Sequence, residues 1–244
     1  MRKPNFYWFI IVICFSLVTE LAGAAKLEEG VSAVEKQDYA TAYAVFKELA
    51  EQGNAEAQYN LAILYRQGKG VEKDNATALV WFEKSANQGL ASAEYYLGHL
   101  YDNGDGVARS STTAVGWYKK AAEKGNPLAQ SNLGVAYANG EGVKQDIIKA
   151  YVWFSLAASQ GLTAALENRN ILKKEMSEEL QDNAQRLTRE YFNKYVTPFQ
   201  PQSSKQPRAG HSGVSDAHQR MNQPSPQTRP HDGHPPMGED KHNH

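Results

Sequence analysis

A repeated unit of 36 residues constrains the fold of this chain more than any other feature of its sequence. Residues 54–89, 90–125 and 126–161 align with one another without a gap. Self-similarity at such a period is typical of stacked supersecondary units. The chain is therefore predicted to form an array of similar units. The positions that agree in all three copies include Ala57, Ala93 and Ala129; Leu61, Leu97 and Leu133; Tyr65, Tyr101 and Tyr137; Trp81, Trp117 and Trp153.

Each unit is predicted to form two antiparallel α-helices. In the first helix, apolar residues such as Ala57, Leu61 and Leu64 recur at spacings of three and four residues and form one stripe. A Gly-x-Gly-Val turn ends this helix, because glycine enters the left-handed region without a side-chain penalty. The second helix is expected to bury its alanine, its tryptophan and the aromatic residue that follows. Its predicted N-caps are Asp74, Ser110 and Asp146, and it ends at Gly89, Gly125 or Gly161.

Two incomplete units flank the repeats. Residues 25–53 form an N-terminal half-unit, because Asp38 and Phe46 reproduce the second helix one period early. Residues 162–197 form a degenerate unit, in which Arg169 replaces the repeated leucine, followed by a capping helix that starts at Ser177. We expect this last helix to close the exposed end of the array.

These residues resemble the Sel-one-like repeat (SLR), a relative of the tetratricopeptide repeat (TPR) with a longer turn between its helices. The matching pattern is Ala-x-Ala-Gln/Glu-x-x-Leu-Gly-x-x-Tyr-x-x-Gly-x-Gly-Val, then Asp, Ala, Trp-Tyr/Phe and Ala-Ala-x-x-Gly, over about residues 30–190. The resemblance implies an all-α fold, a right-handed α-solenoid of antiparallel helix pairs. It also implies a protein that holds a partner polypeptide, although fold alone does not establish function.

The first 24 residues have the order of a secretory signal peptide. Arg2 and Lys3 precede an apolar run from Phe6 to Val18, and Ala22-Gly23-Ala24 supplies small residues for cleavage. An uncleaved membrane anchor is the alternative, but the run is shorter than the about 20 residues that span a bilayer. We therefore expect a periplasmic or secreted protein with no integral membrane segment after cleavage. Its mature chain would lack cysteine, since the only one is Cys14.

The net charge of the chain and the catalytic motifs that it lacks argue against several classes of function. The net charge of −1 argues against nucleic acid as a partner, because such partners select for a basic excess. No Ser-x-x-Lys, Lys-Thr-Gly or His-Glu-x-x-His motif is present. We expect a protein that is not an enzyme, needs no cofactor and acts as a monomer. A hydrolase of β-lactams or cell-wall material is a remote alternative, since some proteins of the resembled family are described as acting on β-lactams.

The candidate binding residues lie on the first helix of each unit. If the TPR register applies, this helix lines the concave face, and solenoids bind partners along such faces. Asparagines at these inward-facing positions would hydrogen-bond either to the backbone of a bound peptide or only to their own turn. His99 is either a charge switch or an inert surface residue. The candidate partner-binding residues are Tyr59, Asn60, Arg66, Tyr95, Tyr96, His99 and Asn132, with Asp102 and Val135 among the other inward positions.

Residues 198–244 differ in composition from the rest of the chain. They hold eight of the ten prolines and six of the seven histidines, and they have few aliphatic residues. Such a segment cannot bury enough apolar surface to order itself and is predicted to be a disordered tail. Imidazole binds copper, nickel and zinc, so an envelope metal-binding protein is the alternative function. Its candidate ligands are His231, His234, His242 and His244.

Overall fold

The computed structural model of the chain describes residues 22–200. Most of the predicted signal peptide and nearly all of the predicted disordered tail lie outside these described residues. Every regular element in residues 22–200 is helical, so the all-α prediction is confirmed.

The described helices form antiparallel pairs stacked as an α-solenoid, as predicted. Each helix of the three regular units has 13 residues. The pairs are α3 (Ala55–Gln67) with α4 (Asn75–Asn87), α5 (Ala91–Asn103) with α6 (Ser111–Glu123), and α7 (Pro127–Asn139) with α8 (Ile147–Ser159). The flanking elements are α1 (residues 22–35), α2 (Tyr39–Glu51), α9 (Thr163–Glu175), α10 (Glu178–Tyr195) and a 3₁₀ turn (Thr197–Phe199).

The predicted caps are present at the second helices. The Asp74 carboxylate accepts hydrogen bonds from the backbone N–H groups of Ala76 and Thr77, and Ser110 and Asp146 cap α6 and α8 in the same way. These bonds satisfy N–H groups that have no partner within the helix. At the other helices, Gly68, Gly104 and Gly140 end α3, α5 and α7 in the left-handed conformation, with φ between 67° and 76°.

The second glycine of each Gly-x-Gly turn has a different role, which the sequence pattern did not predict. Gly70 and Gly142 adopt positive φ and lie against the backbone of the first residue of the preceding unit's second helix, Tyr39 and Ser111 respectively. A side chain at either glycine would overlap a backbone carbonyl. These glycines therefore let one unit stack closely on the next.

The small residue that follows the repeated leucine in the first helix accommodates the aromatic residue of its paired helix. A Cβ on Gly98 would lie 2.5 Å from the Tyr118 ring, and one on Gly134 would lie 2.7 Å from the Phe154 ring. Both rings are buried.

The expectation that the tryptophan of the second helix is buried holds for Trp153 alone. Trp81 and Trp117 are only partly buried, and Lys84 and Lys120 each place Nζ 3.9 Å from the respective ring centroid.

The N-terminal unit is a full helix pair rather than a half-unit. α1 supplies the first helix, and a Cβ on Gly30 would lie 2.5 Å from the Phe46 ring, the same contact as in the repeats. The turn from α1 to α2 has three residues where the repeats have seven. Because the gapless alignment requires a constant turn length, the first helix of this unit escaped detection.

The C-terminal helix begins at its predicted cap but packs elsewhere than expected. Ser177 accepts from the Leu180 N–H, and α10 then packs on α8 and reaches α6. Tyr191 and Tyr195 of α10 lie over Trp153, with ring centroids 5.4 and 5.5 Å away. The expectation that this helix closes the end of the array is wrong, since Ile171 of α9 remains 56% exposed.

A partly buried polar pair joins equivalent positions 30 residues apart in each unit. In the first and third units a glutamine amide donates to another glutamine, Gln88 to Gln58 at 2.7 Å and Gln160 to Gln130 at 2.8 Å. The second unit has Glu94 and Lys124 at these positions, with Lys124 Nζ 2.6 Å from Glu94 Oε1. An ion pair thus replaces an amide pair in the middle of the array.

Candidate partner-binding groove

The first helices of the second and third units border a cavity of about 360 Å³. Helix α5 forms one wall, α7 forms the other, and α6 lies between them. We refer to this cavity as the groove. Its lining residues are Tyr95, His99, Asp102 and Asn103 of α5; Ser111, Ala114, Val115 and Tyr118 of α6; Asn132, Val135 and Ala136 of α7; and Glu141 of the following turn.

The structure brings three of the seven predicted binding residues into the groove, namely Tyr95, His99 and Asn132. Arg66 lies nearby on α3, with its guanidinium carbon 5.4 Å from the centroid of the Tyr96 ring. Its charge also acts on His99. The second and third units therefore place inward positions at a common cavity, and the first unit contributes a cation beside it.

The prediction that Tyr59, Asn60 and Tyr96 are exposed on the concave face is wrong. Tyr59 and Asn60 are fully buried and Tyr96 is 6% exposed. The Tyr96 ring stacks on Phe82 with centroids 5.2 Å apart, and Tyr59 packs on the edge of both. The TPR register failed here because large aromatic side chains stabilise the fold more by filling the space between α3, α4 and α5 than by facing solvent.

The two asparagines among the predicted binding residues, Asn60 and Asn132, do not present equivalent exposed amides. Asn60 is buried, and neither its amide nitrogen nor its amide oxygen has a hydrogen-bond partner. The predicted bond to its own turn is therefore not present. Asn132 is half-buried in the groove, where its side chain lowers the pKa of Tyr118 and so favours the ionised form of that hydroxyl. Asn132 is thus the only one of these two amides placed to meet a ligand.

Hydrogen bonds organise the polar side of the groove. The Tyr118 hydroxyl donates to Asp102 Oδ2 at 3.4 Å. Burial raises the pKa of Tyr118, and the charge of Asp102 raises it further, so this hydroxyl stays protonated. The Asn103 amide nitrogen lies 3.0 Å from His99 Nδ1. This arrangement suits a neutral imidazole whose nitrogen accepts a hydrogen bond.

Burial lowers the pKa of His99, and the positive charge of Arg66 lowers it further. The imidazole is therefore neutral at pH 7 and presents both a donor and an acceptor.

Acidification is expected to destabilise the protein through His99. Below a pH of about 6.5 the unfolded chain binds a proton at this residue while the folded chain resists it, so the free energy of unfolding falls as pH decreases. The measurement is the urea midpoint between pH 7.5 and 5 for the unmodified protein and for His99→Gln. The variant should lose less stability on acidification, and an identical slope for both proteins would contradict this.

Seven of the twelve lining residues were not among the predicted inward positions. Five of them belong to the second helix or the turn, and the other two are Asn103 of α5 and Ala136 of α7. Tyr118 could have been found, since it follows the repeated tryptophan, and it packs on Gly98. Asn103, Val115 and Glu141 carry no such signal. Asp102 and Val135 do occupy predicted inward positions.

Metal ligation has no support within residues 22–200, where no cluster of three or more histidine, cysteine, aspartate or glutamate residues could hold an ion. The candidate metal ligands His231, His234, His242 and His244 lie outside the described residues, so the metal-binding alternative stays a prediction.

Within residues 22–200, none of the helices is long and apolar enough to cross a membrane.

Comparison with known proteins explains the regularity of the fold. The sequence pattern of the Sel1 repeat matches residues 55–90, 91–126 and 127–162, each one residue later than the 36-residue units described above. The chain contains three Sel1 repeats. The predicted resemblance to the Sel-one-like repeat is thereby confirmed. The Gly-x-Gly turns and the aromatic pairs of the second helices are features of these Sel1 repeats. A comparison with curated proteins gives no match.

Two solved structures share the fold. A Sel1 repeat protein from Oxalobacter formigenes is 31% identical over 59% of this chain, with a TM-score of 0.57. A protective antigen present in uropathogenic Escherichia coli strains, which displays an SLR fold, is 27% identical over 81% of this chain, with a TM-score of 0.52. The aligned parts cover 60% and 53% of those two chains, so both extend well beyond the region of similarity.

Proposed function

We propose that this Sel1-repeat protein is an exported scaffold that binds a segment of a partner polypeptide in the groove between α5 and α7. The observation that carries the proposal is the composition of that cavity. It combines an aromatic ring, an exposed apolar side chain and several hydrogen-bonding groups, contributed by two adjacent repeats. Concave surfaces of this kind are the ones that solenoids use for extended ligands.

Each wall of the groove would make a different contact. Tyr95 and Val135, which is 37% exposed, offer apolar surface to a side chain of the segment. Neutral His99 and Asn132 supply donors and acceptors for its backbone. Asp102 and Glu141 are the only ionisable acids in the lining, so the groove favours a segment that carries a lysine or arginine.

The setting of the proposed function is the cell envelope or the extracellular space. The basic start, short apolar run and small residues at 22–24 support export through a cleaved signal peptide. Within this proposal the protein acts as a monomer and has no catalytic role, in keeping with the scaffold character of Sel1-repeat proteins.

Blocking the groove is expected to weaken binding without unfolding the protein. Peptides selected from a display library against the full chain provide the ligands, with affinity measured by fluorescence anisotropy. Val135→Arg fills the groove with a long side chain at an exposed helical position, so affinity should fall at least about tenfold, a typical effect at a binding hot spot.

The matched control is Val80→Arg, the same change at an exposed valine of α4 that does not line the groove. Its affinity should equal that of the unmodified protein, and both variants should keep their helical circular dichroism. Loss of binding in Val80→Arg with normal binding in Val135→Arg would place the interaction on another surface and overturn the proposal.

A further inference from the structure

A second cavity, of about 520 Å³, lies among α8, α9 and α10 at the C-terminal end of the described residues. It is separate from the groove and shares no lining residue with it. Its lining contains two arginines and no acidic residue. The lining residues are Tyr151, Ser155 and Ser159 of α8; Arg169 of α9; and Gln185, Thr188, Arg189, Phe192 and Asn193 of α10.

Arg169 occupies the position of the repeated leucine. The equivalent residues Leu61, Leu97 and Leu133 are fully buried in the regular units. Here α10 packs on α8 rather than as a regular second helix on α9, and a cavity remains beside Arg169. The departure from the repeat pattern and the departure from regular packing thus occur at the same place.

The guanidinium of Arg169 is incompletely satisfied. One terminal nitrogen donates to Asn170 Oδ1 at 2.9 Å, but Nε is buried and has no hydrogen-bond partner. Among the described residues, no carboxylate lies within ion-pair distance of Arg169. Arginine remains charged at any physiological pH, and a buried donor without a partner is unfavourable. An anion in the cavity would remove this penalty.

Other groups in the lining complete the arrangement. Arg189 lies in the same cavity and also forms no ion pair with a described residue. Ser155, Ser159 and Thr188 donate to carbonyl oxygens of their own helices, so their hydroxyl protons are already in use. The donors not already used within the chain are therefore cationic or amide groups and the Tyr151 hydroxyl, while the rings of Tyr151 and Phe192 supply aromatic surface.

We propose that this cavity binds a small organic anion, with a carboxylate or phosphate group held by Arg169 and Arg189 and an apolar body against Tyr151 and Phe192. The planar guanidinium fork matches the oxygens of both groups. The volume lies in the usual range of small-ligand sites. The proposal does not depend on the groove or on the identity of its partner.

The test measures binding of four probes to the full-length protein by isothermal titration calorimetry. Phenylacetate and phenyl phosphate carry the two candidate anionic groups, 2-phenylethanol is neutral, and phenethylamine is cationic. At least one anion is expected to bind, with affinity that falls as salt is added. Neither the alcohol nor the amine should bind comparably. The stronger of the two anions identifies the group that the site prefers.

The decisive variant is Arg169→Leu, which restores the residue of the regular units and should therefore fold. It is expected to weaken anion binding at least tenfold, and Arg189→Gln should weaken it by a similar factor. Lys173→Gln removes an exposed cation of α9 outside the cavity and should have no effect. Equal anion affinity in Arg169→Leu, equal binding of the alcohol, or binding by none of the probes would overturn the proposal.

Discussion

Replacing Lys124 with alanine is expected to lower the free energy of unfolding by about 3 kcal/mol. Lys124 Nζ donates to Glu94 and to the Gly89 carbonyl at 2.6 and 2.7 Å. The Glu94 side chain is only 4% exposed, and its second oxygen, Oε2, has no hydrogen-bond partner. Without the lysine a buried carboxylate is left uncompensated, which typically costs about 3–5 kcal/mol, and the partly exposed lysine favours the lower end.

The control for this prediction is the paired change Glu94→Gln with Lys124→Gln. It introduces the glutamine pair of the first and third units into the second. The double variant should lie within about 1 kcal/mol of the unmodified protein in urea unfolding, because replacing both partners leaves no unpaired charge. If Lys124→Ala unfolds at the same urea concentration as the unmodified protein, Glu94 is hydrated in the variant and does not depend on Lys124 for stabilisation.

The second large effect is expected at Gly142, where alanine should destabilise the protein by about 3 kcal/mol. Its φ of 70° is unfavourable for a residue with a Cβ, by about 1–2 kcal/mol. The added atom would also overlap the Ser111 backbone, so the third unit must move away from the second. Thermal unfolding followed by circular dichroism measures the loss.

Gly116 provides the matched control within the same unit pair. It lies inside helix α6, and an added Cβ would have no neighbour within 4 Å. Gly116→Ala should therefore stabilise the protein by about 0.5–1 kcal/mol, because alanine is the better helix former. Destabilisation of similar size in both variants would show that Gly142 is not a stacking contact.

The repeat period predicted most of the fold because each regular unit obeys the same local rules. The Gly-x-Gly turn, the oxygen-bearing N-caps and the apolar stripe each determine short-range structure that a single sequence records. Two of the errors lie at the ends of the array, where those rules change. The turn before Asp38 is four residues shorter, and α10 packs on α8 through Tyr191 and Tyr195. Neither change follows from the period.

The candidate site was less predictable because exposure depends on helix rotation, which spacing does not specify. Tyr95 and Tyr96 are adjacent in the sequence, yet the first borders the groove and the second stacks on Phe82 in the core. A shift of one residue rotates a side chain by about 100° on a helix. The same reasoning could not find the cavity beside Arg169, since its walls come from the irregular packing of α10.

Site-specific photo-crosslinking in cells that naturally produce the protein tests the central claim most directly. A photoreactive phenylalanine derivative is placed at Val135 in the groove or at Val80 on α4, and adducts are detected on the full-length protein. Because Val135 points to the proposed partner segment, illumination should give a discrete polypeptide adduct from position 135 and none from position 80. Adducts from position 80 and none from position 135 would contradict a partner-binding groove between α5 and α7.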